Sequence, residues 1–249
     1  MITIDHLSFT YPDGTKALNG VTLHIPTGGT TGIVGANGAG KSTLVSHLNG
    51  WFLPQKGSII VDGMAVGKKS LDDIRKSVGL LFQNPDDQLF TARVYDDVMF
   101  GPSNLGMKRN EAEAATERLL REFGLWEVRD KPPAHLSHGQ KRFAALAAVL
   151  VMNPKVLVMD EPTSDLDPRN RRKLIGLVGN LQATRITVSH DLDFIWETCS
   201  EVCVMNEGRI VAQGETKTVL SNRSLLENNG LELPLRLQDQ ISTDGRIRT

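Results

Sequence analysis

Residues 30–50 read TTGIVGANGAGKSTLVSHLNG. A short apolar run, Thr30 to Val34, has the character of a buried strand, and GANGAGKST, Gly35 to Thr43, follows it and fits G-x-x-x-x-G-K-[ST] without a mismatch. A helix is expected from Lys41 to a stop at Gly50. In this strand–loop–helix context the glycines let the backbone curl into a nest of N–H groups. The helix N-terminus adds about half a positive charge. Lys41 is placed to reach the β- and γ-phosphates of a nucleotide, and the Ser42 hydroxyl to ligate Mg²⁺. The candidate nucleotide contacts of the loop are therefore Gly35, Asn37, Gly38, Gly40, Lys41, Ser42 and Thr43.

Three later segments complete a phosphate site. VLVMDE, Val156 to Glu161, is a continuous apolar strand ending in two acids. Asp160 is positioned to bind Mg²⁺, and Glu161 to polarise a water in line with the γ-phosphate, a role worth roughly 10²–10⁴ in rate. RITVSHD, from Arg185, is a second such strand, and His190 stands at its end, where ligands collect in open α/β sheets. It is read as a γ-phosphate contact that also positions the water. Gln83, after the apolar VGLLF, offers an amide to Mg²⁺ or to the attacking water. Between these lies LSHGQ. Ser137 and His138 invite a nucleophile–base reading, but neighbours in sequence seldom face one another. Ser137 as N-cap with Gln140 three residues on reads better as a capping box ahead of the apolar run FAALAAVLVM.

The chain of 249 residues is long enough for one large α/β domain with a subdomain inserted. With 28 Lys and Arg against 29 Asp and Glu, no global field directs it to nucleic acid or to anionic lipid. Cys199 and Cys203 are the only cysteines, and they are expected to be buried thiols. MITIDHLSFTY alternates from its start and lacks the pattern of a secretory signal, so a cytoplasmic location is expected. The longest apolar run, Phe143 to Met152, is about half what a bilayer crossing requires, so any membrane role comes through a partner. The opening reads as antiparallel strands around a turn at Asp13-Gly14-Thr15. Residues 84–131 read as helix, with Asn110 as a cap, Ala112, Ala115, Leu119 and Phe123 on one face, and Gly124 as the stop. EVCVMNEGRIVAQG reads as a hairpin with Gly208 in the left-handed position of a three-residue loop. DQISTDGRIRT, from Asp239, has the composition of a frayed tail.

In this order the motifs resemble the ATP-binding-cassette (ABC) ATPase family over Ile2 to about Leu220. Tyr11 stands as the A-loop aromatic, GANGAGKST as Walker A, Gln83 as the Q-loop, LSHGQ as the signature and VLVMDE as Walker B. Ser164-Asp165-Leu166-Asp167 is the D-loop and His190 the switch. The resemblance implies an α/β fold of the P-loop NTPase type: a RecA-like core, an antiparallel β subdomain, an α-helical subdomain inserted at about 84–150, and a tail at 221–249 that is partly helical. It implies ATP and Mg²⁺ as cofactors, with Tyr11 stacked on adenine. It also implies that two cassettes, alike or unlike, pair head to tail, so that Ser137, His138, Gly139 and Gln140 meet the partner's ATP. His138 departs from the family's usual Gly, and SDLD from A-G-L-D.

LFQNPDDQLFTARVYDDVMFGPSNLGM and the tail stretch LLENNGLELPLRLQ are similar to the ATPases of energy-coupling-factor (ECF) transporters, with cobalt or nickel favoured as solute over a vitamin. That similarity implies integral membrane subunits as partners, touched by Asp86, Asp87, Gln88, Leu89 and Phe90. It places the protein peripherally on the cytoplasmic face of the membrane, with no inserted segment and no nucleic-acid partner. The competing readings are a soluble ABC ATPase of DNA repair or translation control, and a nucleotide-binding regulator without turnover. The first lacks the expected coiled-coil insertion or second cassette; the second is opposed by Glu161, His190 and Gln83.

Overall fold

The alternating N-terminal run forms β1 (Ile2–Thr10), which pairs antiparallel with β2 (Lys16–Ile25). Its apolar face comprises Ile2, Ile4, Leu7 and Phe9, and the period of two slips between Ile4 and Leu7, where His6 adopts a left-handed backbone and the register shifts. The computed structural model describes residues 1–242, with side chains through Gln238. It places β3 (Thr30–Val34) and α1 (Lys41–Leu48) next, followed by β4 (Lys56–Val61) and β5 (Met64–Ala65), which complete a four-stranded antiparallel sheet in the order β2-β1-β4-β5.

Helix α2 (Leu71–Ser77) leads into β6 (Val78–Leu81), and the chain then turns helical with α3 (Val94–Asn104), α4 (Arg109–Glu122) and α5 (His138–Leu150). Residues 84–150 contain no strand. Helix α5 carries an unbroken buried run, Phe143 to Ala147, and this makes it the floor between the helical segment and the sheet.

Strand β7 (Val156–Asp160), α6 (Pro168–Gly179), β8 (Thr184–Val188), α7 (Leu192–Thr198) and the hairpin β9 (Glu201–Asn206) and β10 (Arg209–Glu215) complete the second sheet, ordered β10-β9-β3-β8-β7-β6. All its pairings are parallel except that of β10 with β9. Helices cover both faces, which is why β7 and β8 are buried at every position. Gly32 lets α7 lie close on β3: a Cβ there would meet Cγ2 of Ile195 at 2.5 Å. The carboxyl ends of β3, β7 and β8 deliver the phosphate loop, the acid pair and His190 to one edge of this sheet.

Three local expectations change. Asn110 is inside α4 rather than its cap; the cap position is Lys108, which makes no side-chain capping bond. The β9–β10 loop has two residues, not three, because Glu207 and Gly208 both take positive φ (47° and 73°), as in a type I′ turn matching the twist of the strands. The tail is ordered further than its composition suggested. After α8 (Thr216–Leu220) and α9 (Arg223–Asn228), α10 runs from Leu235 to Ser242, and buried Leu226 and Leu233 join the core. The remainder of the expected frayed segment, residues 243–249, lies outside the described residues.

Cys199 and Cys203 are both buried free thiols, and burial pushes their pKa up to about 11 and about 12. Neither should react with a thiol-specific reagent at pH 8 in the folded protein, and both should react once denaturant is added; rapid labelling without denaturant contradicts this burial.

Candidate nucleotide site

Helix α1 begins at Gly40, whose φ of 99° is left-handed, and no side chain caps its first turn. A Cβ on Gly40 would collide with the Ala17 carbonyl oxygen, so only glycine admits this close approach to β2. The first-turn N–H groups are thus left without a side-chain acceptor, the arrangement that an anion nest requires. Lys41 is buried, and its Nζ donates to the carbonyls of Gly35 (2.8 Å) and Ala36 (3.0 Å) and lies 3.5 Å from His190 Nε2. Burial lowers its pKa from the ordinary lysine value, with Glu161 and Asp160 opposing.

Asp160 and Glu161, at the end of β7, are 8% and 7% exposed. Burial raises the pKa of both carboxyl groups; for Asp160 the Ser42 hydroxyl and Lys41 oppose the shift, for Glu161 the backbone and charge of His190 do. Oδ1 of Asp160 and Oε1 of Glu161 are buried without a hydrogen-bond partner. Glu161 is nevertheless held firmly: its Oε2 accepts from His190 N (3.1 Å) and Ser189 Oγ (3.3 Å), and Oε1 lies 3.4 Å from His190 Nε2. Its backbone is in the left-handed region at φ 47°, pinned by the bond from its N–H to the Val188 carbonyl (2.9 Å).

One cavity of about 290 Å³ gathers most of the expected contacts: Asn37, Gly38, Gly40, Lys41, Ser42 and Thr43 of the loop, with Tyr11, Gln83, Glu161 and His190. Gly35 and Asp160 sit behind its wall, Gly35 as an acceptor for Lys41. Tyr11 is tied to the loop through its hydroxyl, 2.9 Å from Thr43 Oγ1, and its ring meets Phe9 and Phe52 edge-on at 5.2 and 5.7 Å.

No residue of the LSHGQ stretch lines this cavity. Ser137 and Gln140 form both halves of a capping box, Gln140 N donating to Ser137 Oγ (3.3 Å) and Ser137 N to Gln140 Oε1 (3.0 Å). His138 is exposed on the first turn of α5. Gly139 is buried against Asn170, whose Nδ2 would stand 2.7 Å from an added Cβ. In Ser164–Asp167, Asp165 is exposed at φ 60°, Leu166 packs on the core, and Asp167 caps α6 by accepting from Asn170 N (2.7 Å).

Sequence reasoning missed Arg142. Only 2% exposed, it donates from α5 to the carbonyls of Phe82 (2.9 Å) and Gln83 (2.6 Å), fixing the backbone that presents the Gln83 amide. The visible signal was a cation set immediately before a fully apolar helical run. The same helix anchors the next loop: Lys141 pairs with Asp86 (2.7 Å), and Gln88 Nε2 donates to the Ala145 carbonyl (3.0 Å) while its Oε1 accepts from Phe82 N (3.2 Å). Among the five residues assigned to a membrane-subunit contact, Leu89 is a correction: it is 6% exposed and belongs to the core, because the loop turns inward there. Asp87 and Phe90 face outward.

A sequence model of the ABC transporter family matches residues 18–164. The chain belongs to the ABC transporter family. The cassette is 46% identical over 249 residues to the energy-coupling factor transporter ATP-binding protein EcfA of Carboxydothermus hydrogenoformans, covering 99% of this chain and 92% of that one. It is 42% identical over 233 residues to the EcfA protein of Methanocaldococcus jannaschii, covering 92% of this chain and 84% of that one. Among solved structures, cbiO1 of Clostridium perfringens, described as part of the ABC transporter complex cbiONQ, superposes with a TM-score of 0.80 at 38% identity, covering 97% and 98% of the two chains. The cassette is thus an ATP-binding subunit that hydrolyses ATP to drive transport, which favours transport over the soluble alternatives. Among the described residues, no helix is long and apolar enough to cross a membrane.

Replacing Arg142 by Met removes two part-buried hydrogen bonds to the Phe82 and Gln83 carbonyls, both made by a charged donor. The expected loss is about 1–3 kcal/mol in equilibrium denaturation of the nucleotide-free protein. An unchanged midpoint and slope would remove the anchoring role.

Proposed function

We propose that this cassette is the ATPase of an energy-coupling-factor transporter, acting as a dimer with two shared ATP sites on the cytoplasmic face of the membrane. The observation that carries the dimer is the division of the phosphate-binding parts. The nucleotide cavity is lined by the loop, Glu161 and His190, with Asp160 behind its wall, but by nothing from LSHGQ, while the N-terminus of α5 offers a second place for an anion. Each ATP then lies between the loop of one protomer and Ser137, His138, Gly139 and Gln140 of the other, with Ser164–Asp167 at the seam. The partner cassette is a second copy of this chain or an unlike one.

Within one site, the ring of Tyr11 stacks on adenine, Lys41 exchanges its two carbonyl partners for the β- and γ-phosphates, and the α1 N–H groups take the remaining oxygens. Mg²⁺ fits the donor set, since Asp160 Oδ1 is buried and unpartnered, with the Ser42 hydroxyl and the Gln83 amide as further ligands. The bound cation neutralises phosphate charge. Glu161 polarises the attacking water with Oε1, the oxygen without a hydrogen bond, while Oε2 stays anchored and sets its direction. His190, 3.4 Å from that carboxylate, contacts the γ-phosphate and holds the water in line.

The membrane subunit meets the segment after Gln83. Phe90 and Phe100, 64% and 47% exposed, stand edge to face at 4.9 Å, and Asp86 and Asp87, shortly before Phe90 in the chain, are exposed. The full-length likeness to the two EcfA proteins supports this assignment, and the tail stretch 225–238 supports cobalt or nickel as the solute over a vitamin.

Glu161→Gln should retain ATP and accumulate a nucleotide-bound dimer in size-exclusion chromatography; wild-type turnover in this variant removes Glu161 from its role. A Lys41→Ala protomer mixed with a Ser137→Arg protomer should regain one intact site and measurable ATPase. If both variants fold, dimerise and exchange subunits without recovery, the shared-site arrangement fails.

A further inference from the structure

The tail is the part of the chain that the catalytic reading leaves without a task, and it is wired to the switch. Asp193, three residues after His190, accepts from Leu235 N (2.8 Å), Arg236 N (3.3 Å) and Arg236 Nε (2.6 Å), so a side chain of α7 holds the start of α10. Arg236 Nη2 donates to Glu197 Oε1 (2.6 Å), and that oxygen lies 3.6 Å from Nη1 of Arg171 on α6. Arg171 grips Asp191 with Nε (2.7 Å) and Nη2 (3.1 Å). Asp191 directly follows His190; its Oδ1 caps α7 through Phe194 N (2.8 Å), and its N–H donates to Ser189 Oγ (3.0 Å), the hydroxyl that donates to Glu161.

The side chains in this series are 17–35% exposed, which shields them from salt better than a freely solvated pair; Arg171 forks onto Asp191, and Arg236 bridges Asp193 and Glu197. His190 and residues 230–236 line one cavity of about 640 Å³, so the switch and the tail face the same space.

We propose that Arg236 is a positioning residue for ATP hydrolysis: through Asp193 and Glu197 it fixes α7 from the tail side, and with it the placement of His190. The inference rests on reading His190 as the γ-phosphate contact. A displacement of about 1 Å in such a group can cost up to about 10²-fold in rate, so the loosening of one of several tethers should lower kcat by about fivefold and leave KM within about twofold.

The test uses full-length protein with Arg236→Ala, Arg236→Lys, His190→Ala and the double variant H190A/R236A. ATPase kinetics are measured together with imidazole spectra of ¹⁵N-histidine-labelled protein. The His190 signal, identified by its loss in H190A, should move in R236A while those of His6, His24 and His135 stay. R236K should recover most of kcat, and R236A should cost nothing further in the H190A background. A stationary His190 signal in R236A, or an equal loss of rate with and without His190, overturns the proposal. Wild-type kcat in H190A instead removes the underlying reading of His190, whereas an impaired H190A beside a silent R236A removes only the positioning role.

Discussion

One buried cation and two buried carboxyl groups share the edge of the parallel sheet, and the rest of the structure is arranged around them. Lys41, Asp160 and Glu161 are each under about a tenth exposed. Burial acts on all three in the same sense, towards the neutral form: Lys41 down, the acids up. Within the chain these charges are therefore incompletely compensated. The site holds Lys41 on two carbonyls as substitute acceptors and leaves one oxygen of each acid without a donor. The proposed ligand, a phosphate chain with a divalent cation, would answer each of these deficits at once, the negative charge meeting Lys41 and the positive charge meeting Asp160. The low accessibility of the charges is what leaves the deficits, because in solvent they would be satisfied by water.

The strength of this constraint explains which features were legible in sequence. The phosphate loop, β7 and β8 are local, uninterrupted patterns, and burial of β7 and β8 on both faces removes the ambiguity of alternation. Ser137 and Gln140 are three residues apart, so their mutual bonds need no knowledge of the fold. The failures share a different cause. Arg142 acts on Phe82 and Gln83, about sixty residues earlier, and no local periodicity marks such a partnership. Leu89 lies in a polar stretch that reads as surface, yet the turn after Pro85 carries it into the core. Asn110 had the right residue type for a cap but stands two positions too late, since Lys108 is where the chain leaves the extended conformation. At the β9–β10 turn the glycine was identified correctly, but the preceding Glu207 also takes a left-handed conformation that its type does not advertise.

The departures from the family pattern can be placed physically. Asp165 occupies a backbone with φ 60°, which glycine enters without penalty and which Asp and Asn tolerate better than most residues. An exposed Asp at a position of this geometry keeps the turn and adds a negative charge. His138, by contrast, is on the first turn of α5 with its side chain in solvent, and the helix there has an ordinary right-handed start behind a well-formed cap. At Gly139 an added Cβ would press on the Asn170 amide, 2.7 Å away, and would have to move it off its bond to Asp167. The neighbouring residues of LSHGQ are thus unequally constrained: Gly139 by the Asn170 amide, Ser137 and Gln140 by the cap, and His138 by neither.

Arg142 links these two observations. A buried guanidinium normally requires a carboxylate, but the bonds from this one go to two main-chain carbonyls, and the nearest acids act on it only through space. A carboxylate partner would tie α5 to another side chain with its own rotamers. Carbonyl partners tie α5 to the path of the backbone itself, so residues 82–83 cannot shift relative to α5 without stranding a buried charge. Gln88 and Lys141 extend the attachment along the loop, and Phe90 then projects from a segment anchored on its inner side at Leu89 and by Asp97, which accepts from the N–H groups of Phe90 and Thr91 (3.0 Å each). The outer rings are exposed, but the backbone beneath them is not free. One continuous set of bonds thus joins the backbone under Phe90 to α5 and to the loop that presents Gln83.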